Sequence, residues 1–244
     1  MRNCLVVLLF FALANFRLVA GDTITRLDKN LGLKKIKNNI YLVKSSFSGN
    51  GQLDCNNLIV LDRDDMVLIN TPSTDSLTGI MLHCLEIKFK RKITKVIVSH
   101  FHDDSAGGLH ETTRQGIKSY GLDLTNNLLK PAKKNLDIVF SDSMTIPLQT
   151  IKLDLFYFGS GHSVDNIVTW IPSEKILFGG CLLKSMDTDN IGNIKDADLQ
   201  SWPATVQKIR ARFSEAKIVI PGHLSSGDSS LFEQTLRIIR GNKQ

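Results

Sequence analysis

The sequence predicts an α/β chain: a single domain of two β-sheets with helices outside. Three observations carry this expectation. Short β-rich runs alternate with stretches of helical spacing from about residue 33 onward. The strand–turn–strand segment Asn57–Asn70 is echoed by Asn166–Gly179, which fits two similar halves, each a sheet flanked by helices. No linker or low-complexity segment divides the 244 residues, a length sufficient to bury a sizeable core.

Residues 33–48 alternate apolar and polar in the manner of strands, most clearly at I-Y-L-V. N-L-I-V-L-D-R-D-D-M-V-L-I-N reads as a hairpin turning at Arg63-Asp64-Asp65. Thr74 to Arg91 has helical spacing, with Thr74 or Ser76 as its cap. Ile93–Ser99 is a short buried strand, followed by a helix from Ser105 to about Gln115 and a strand near Gly116–Tyr120. Leu122–Lys130 is a short helix stopped by Pro131, and strand patterns resume over 137–158 and 166–183. A helix over Asp198–Phe213 carries Pro203 near its first turn. A strand over Lys217–Ile220 ends at Pro221-Gly222-His223, and the amphipathic helix Asp228–Arg240 follows.

The first twenty residues differ from the rest. Arg2 precedes C-L-V-V-L-L-F-F-A-L-A-N-F, and small residues lead to Gly21, the layout of a secretory signal. The apolar run is too short to span a bilayer, which takes about 20 apolar residues. Residues 1–20 are therefore expected to be removed on export, leaving a domain over 21–244. Removing Arg2 and Arg17 lowers the formal charge from +6 to +4. That balance is mild, and the basic residues form no stripe interleaved with aromatics, which excludes a nucleic-acid partner. Cys55, Cys84 and Cys181 remain, so at least one thiol is unpaired; Cys55 and Cys84 are either a disulfide or two buried thiols.

Four of the six histidines share one setting. His100 and His102 follow I-T-K-V-I-V-S, His162 follows L-D-L-F-Y-F-G-S-G, and His223 follows K-I-V-I-P-G. Cys181 follows K-I-L-F-G-G in the same way. Imidazole nitrogen, thiolate sulfur and carboxylate oxygen together suit zinc. His100 and His102 are two apart, so an extended backbone points both to one side, with Asp104 two further on. Gly107-Gly108 allow the next helical turn to pack closely. A lone histidine at a strand end is more often structural than a ligand, but four of them with a cysteine, each after its own strand, make a metal site. His83 and His110 lie on helices without such a pattern and are read as surface or packing residues.

The motifs H-F-H-D-D-S-A-G-G, G-S-G-H-S-V-D-N, G-G-C-L-L-K, G-N-I-K-D-A-D-L-Q-S-W-P and I-P-G-H resemble class B metallo-β-lactamases, specifically the cysteine-bearing subclass B1, from about residue 33 onward. The resemblance implies an αββα sandwich, two mixed sheets packed face to face with helices on both outer faces. It implies two zinc ions, one held by His100, His102 and His162, the other by Asp104, Cys181 and His223. It further implies hydrolysis of a small-molecule β-lactam by a metal-bound hydroxide that Asp104 orients, with Asn193 hydrogen-bonding the carbonyl oxygen and Lys184 pairing with the substrate carboxylate. A periplasmic monomer with no membrane span is the expected form. Two departures stand out: Asn70 replaces the family's usual Asp, and the flap loop S-S-F-S-G-N-G-Q-L-D-C is short, with Phe47 its one aromatic. A glyoxalase-type thioester hydrolase usually carries His and a bridging Asp where this chain has Ser105 and Cys181, and a non-catalytic zinc-binding protein gives Lys184 and Asn193 no role.

Overall fold

A computed structural model describes residues 23–242, and the segment read as a secretory signal lies outside them. The first sheet has eight strands in sequence order: β1 (Thr25–Asp28), β2 (Leu31–Lys37), β3 (Ile40–Ser45), β4 (Cys55–Asp62), β5 (Asp65–Ile69), β6 (Lys95–Ile97), β7 (Lys118–Leu122) and β8 (Ile138–Phe140). The pairings from β1 to β5 are antiparallel. Those from β5 to β8 are parallel, because helices make the crossovers. The second sheet contains β9 (Ser143–Pro147), β10 (Lys152–Tyr157), β11 (Ile167–Ile171), β12 (Ile176–Gly180) and β13 (Ile218–Pro221), in the order β13-β12-β11-β10-β9. Only β12 and β13 pair in parallel there.

Strand alternation sorts the side chains into three apolar layers. Leu58, Val60, Val67 and Ile69 meet Leu153, Leu155, Ile167 and Phe178 between the sheets. On the outer face of the first sheet, Ile59, Met66 and Leu68 pack under Met81 and Leu85 of α1 (Asp75–Phe89). On the outer face of the second, Val168, Trp170 and Leu177 pack under α5 (Trp202–Arg212) and α6 (Ser230–Gly241). The result is the expected αββα sandwich. Helix α1 forms where the sequence predicts it, with Thr74 as N-cap accepting the Leu77 N–H at 3.2 Å. Among the described residues no helix is long and apolar enough to cross a membrane.

Two helices differ from expectation. The stretch 105–115 is two short helices, α2 (Asp103–Ala106) and α3 (Leu109–Arg114), broken at Gly107-Gly108. A Cβ at Gly108 would lie 1.9 Å from Thr78 Oγ1, and one at Gly107 2.3 Å from the Ser73 backbone, so close approach to α1 takes precedence over helical continuity. Helix α5 begins at Trp202 rather than Asp198, whose carboxylate accepts the Gln200 and Ser201 N–H groups in a turn ahead of Pro203. Leu122–Lys130 is α4 (Asp123–Leu129), and Pro131 sits in a single 3-10 turn after it.

Candidate metal centre

His100 lies three residues past β6, and His102 is the residue that opens α2, with extended backbone at φ −68 and ψ 160. That entry places Asp104 in the first turn of α2. Ser105 anchors the segment from below: its Oγ donates to Asn70 Oδ1 at 2.7 Å and accepts the Ser99 N–H at 2.9 Å. From the second sheet come His162 beyond β10, Cys181 directly after β12 and His223 after β13.

The three imidazoles of His100, His102 and His162 stand edge to face, their centroids 4.8, 5.1 and 5.1 Å apart. His102 Nδ1 and His162 Nε2 are 3.1 Å apart. Beside them, Asp104 Oδ2 lies 2.9 Å from Cys181 Sγ and 2.9 Å from His223 Nε2, while Oδ1 lies 3.4 Å from His100 Nε2. All six predicted ligands are thus brought together. Two groups of donor atoms, His100–His102–His162 and His100–Asp104–Cys181, each lie within 4.8 Å of one another.

These donors fit a divalent cation. His100 Nε2 is buried without a hydrogen-bond partner, its nearest acceptor the Asp104 carboxylate at 3.4 Å, a costly state for polar nitrogen inside a protein. Burial pushes the His162 pKa well down, so its ring is neutral and keeps a lone pair. Burial pushes Asp104 up, but the His100 and His223 imidazoles outweigh it and hold the carboxyl well below its usual range. Burial and the neighbouring Asp104 carboxylate raise the Cys181 thiol well above normal, so the sulfur becomes a thiolate only with positive charge beside it. A cation against this donor set reverses that balance.

The donors open into a cleft of about 480 Å³ lined also by Phe47, Asp54, Asp103, Lys184, Gly192 and Asn193. A larger groove of about 750 Å³ along Lys34–Asn38 has neither histidine nor cysteine in its lining. The Lys184 ammonium sits 5.3 Å from the centre of the Trp202 ring, and burial lowers its pKa. Asn193 is exposed; its Oδ1 accepts the Lys195 N–H at 3.0 Å, which turns the amide's own hydrogens toward other partners. Phe47 is half exposed on a loop tied by Asp54 Oδ1 to its N–H at 3.0 Å and by the Ser73 hydroxyl to its carbonyl at 3.1 Å. Asp103 points to solvent, 3.7 Å from Lys134. His83 is exposed on α1, and His110 bonds the Lys133 carbonyl and faces Asp75, both away from the centre. Cys55 and Cys84 are both free thiols, but only Cys55 is buried; Cys84 is half-buried, so neither a disulfide nor two buried thiols is found.

Sequence reasoning missed Asp196, whose carboxylate takes the second ring nitrogen of His102 at 2.9 Å. A carboxylate behind a ligating imidazole fixes tautomer and ring orientation. Its one signal was the first acid of K-D-A-D. Cys55 was also missed: its sulfur lies 3.6 Å from His223 Nδ1, across an isolated β-bridge between the two residues.

Comparison with known proteins places this architecture. The family model described as "ODP family beta lactamase" matches residues 53–218. The metallo-beta-lactamase type 2 of Bacteroides fragilis is 35% identical over 226 residues, covering 91% of this chain and 90% of that one. The protein of the same name from Pseudomonas aeruginosa is 35% identical over 209 residues, 84% of this chain and 83% of that one. Among solved structures, a metallo-beta-lactamase from Pontibacter korlensis superposes with a TM-score of 0.83 at 33% identity, covering 87% of this chain and all of that one.

Proposed function

The chain belongs to the metallo-beta-lactamase family, and from that premise we propose that it is a zinc-dependent β-lactamase of subclass B1 that opens the β-lactam amide of penicillins, cephalosporins and carbapenems. The observation that carries this reading is the convergence of His100, His102 and His162 beside Asp104 and Cys181, with donor atoms of each group within 4.8 Å. The first three residues would hold one zinc ion, and Asp104, Cys181 and His223 a second. When bound, zinc supplies Lewis-acid polarisation and lowers the pKa of water to about 7.

The chain's own groups do the rest. Asp104, kept ionised by His100 and His223, accepts a hydrogen bond from the attacking water and so aims its lone pair. Lys184, whose ammonium sits 5.3 Å from the centre of the Trp202 ring, holds the substrate carboxylate as a point charge. Asn193 donates an amide hydrogen to the β-lactam carbonyl oxygen as negative charge grows there. Phe47 supplies the apolar cover of a short flap. We place the protein in the periplasm as a monomer.

The test is hydrolysis of a carbapenem, a penicillin and a cephalosporin, with a glutathione thioester as control, before and after chelation and with zinc restored. Loss and recovery of β-lactam turnover is the expected result. Thioester turnover with no β-lactam turnover, or β-lactam turnover indifferent to the chelator, would overturn the reading.

A further inference from the structure

His223 belongs to a turn beyond the end of β13, and the residue after it, Leu224, sits at φ +63. That left-handed conformation is unfavourable for an ordinary L-residue and persists only where surroundings over-determine it. The surroundings come largely from the first sheet. Asn56 on β4 donates its backbone N–H to the Gly222 carbonyl at 2.8 Å. Its side-chain amide donates to the Pro221 carbonyl at 2.8 Å and to the Leu224 carbonyl at 3.0 Å. The Leu224 N–H donates to the Asp54 carbonyl at 2.9 Å, and the Ser225 N–H to Asp187 Oδ2 at 3.2 Å. Finally, the Lys44 ammonium on β3 donates to the Leu224 carbonyl at 2.7 Å, across 180 residues of sequence.

Lys44 is the unusual member of this set. It is only 7% exposed, whereas lysines are almost never buried unless paired. Burial lowers its pKa to about 8, against the favourable fields of Asp54 and Asp187. A charged donor makes a stronger bond to a carbonyl than a neutral one. Here that bond fixes the Leu224–Ser225 peptide, one residue beyond His223, whose two ring nitrogens already face Cys55 Sγ at 3.6 Å and Asp104 Oδ2 at 2.9 Å. Any rotation of the turn would swing the imidazole away from Asp104 and Cys181.

We propose that Lys44 is a positioning residue for His223, holding its turn from the opposite sheet and so setting the affinity of the second metal position. The proposal rests on the reading of His223 and Cys181 as ligands of that position. Its experiment is stepwise cobalt(II) titration of the full protein and of Lys44→Met, with a chromogenic chelator as competitor. The thiolate-to-cobalt absorption band reports Cys181, and melting temperature in chelator reports the fold.

Lys44→Met is expected to weaken the second equivalent by about tenfold or more, the scale of outer-shell changes at metal sites, with the first equivalent unchanged. Equal affinities in the two proteins, or equal weakening of both equivalents alongside a fall in melting temperature, would overturn it. If Lys44→Met does not fold, Lys44→Gln carries the same comparison. A parent protein that binds two equivalents without a thiolate band would remove the ligand assignment, and the proposal with it.

Discussion

The two hairpins β4–β5 and β11–β12 share a layout and diverge at the residue that follows. Both leave their second strand through a left-handed backbone position, Asn70 at φ 63 in one and Gly180 at φ 56 in the other. Beyond the first hairpin, Asn70 turns inward and its Oδ1 accepts from the Ser99 N–H and the Ser105 hydroxyl, holding the segment that bears His100, His102 and Asp104. Beyond the second, Cys181 itself faces the centre, 2.9 Å from Asp104. One backbone exit has been put to two uses, a brace in the first half and a donor in the second. The difference follows from how each half delivers its donors. The first presents three from a single loop, which needs support from below. The second presents one from each of three strand ends, which the sheet already aligns.

The largest test of this contrast is Cys181→Ser. It should weaken binding of the second zinc ion by more than the ~100-fold upper end of outer-shell changes, and β-lactam turnover should fall with it. Metal titration and steady-state kinetics check both, and near-parental binding of two ions would break the comparison. Next comes Asn70→Ala, which takes the acceptor from the buried Ser105 hydroxyl and leaves the Ser99 N–H only Ser105 Oγ, and should destabilise the fold by about 1–3 kcal/mol, the range for one unsatisfied buried group. Urea unfolding of the metal-free protein measures it, and an effect confined to kinetics would show Asn70 to be no brace.

The hairpin tips sharpen the contrast at smaller scale. Burial pushes the Asp62 carboxyl up, but hydrogen bonds from Thr150 and Ile151 more than offset this and hold its pKa below the usual range. A depressed folded-state pKa contributes stability that is present above the unfolded value of about 3.9 and lost as pH falls through the folded value. Asp62→Asn should therefore lower the melting temperature at neutral pH and flatten its decline in acid. At the other tip, Lys175 pairs with Glu215 at 2.5 Å with both side chains well exposed. Lys175→Ala should change stability by less than about 0.5 kcal/mol, because exposed pairs contribute little. A larger loss there than at Asp62 would reverse the ranking.

Legibility in the sequence followed the range of the signal. Strands and α1 were readable because their apolar period and caps are local, five of the donors because they follow apolar runs, and Asp104 because it stands two residues after His102. The Gly107-Gly108 break was not, since it depends on Thr78 and Ser73 of another element. Asp196, Cys55 and Lys44 were hidden for the same reason. Their partners lie 94, 168 and 180 positions away, and a single polar residue on a strand or loop carries no mark of such a pairing.

His100, His102 and Asp104 stand on one sheet while His162, Cys181 and His223 stand on the other. A cation held by both groups would rivet the two layers together, so that its uptake reports completed folding rather than preceding it. Depleting the metal would then loosen the joint between the layers as well as silence the chemistry, and the temperature at which the sandwich comes apart would track the free zinc around it.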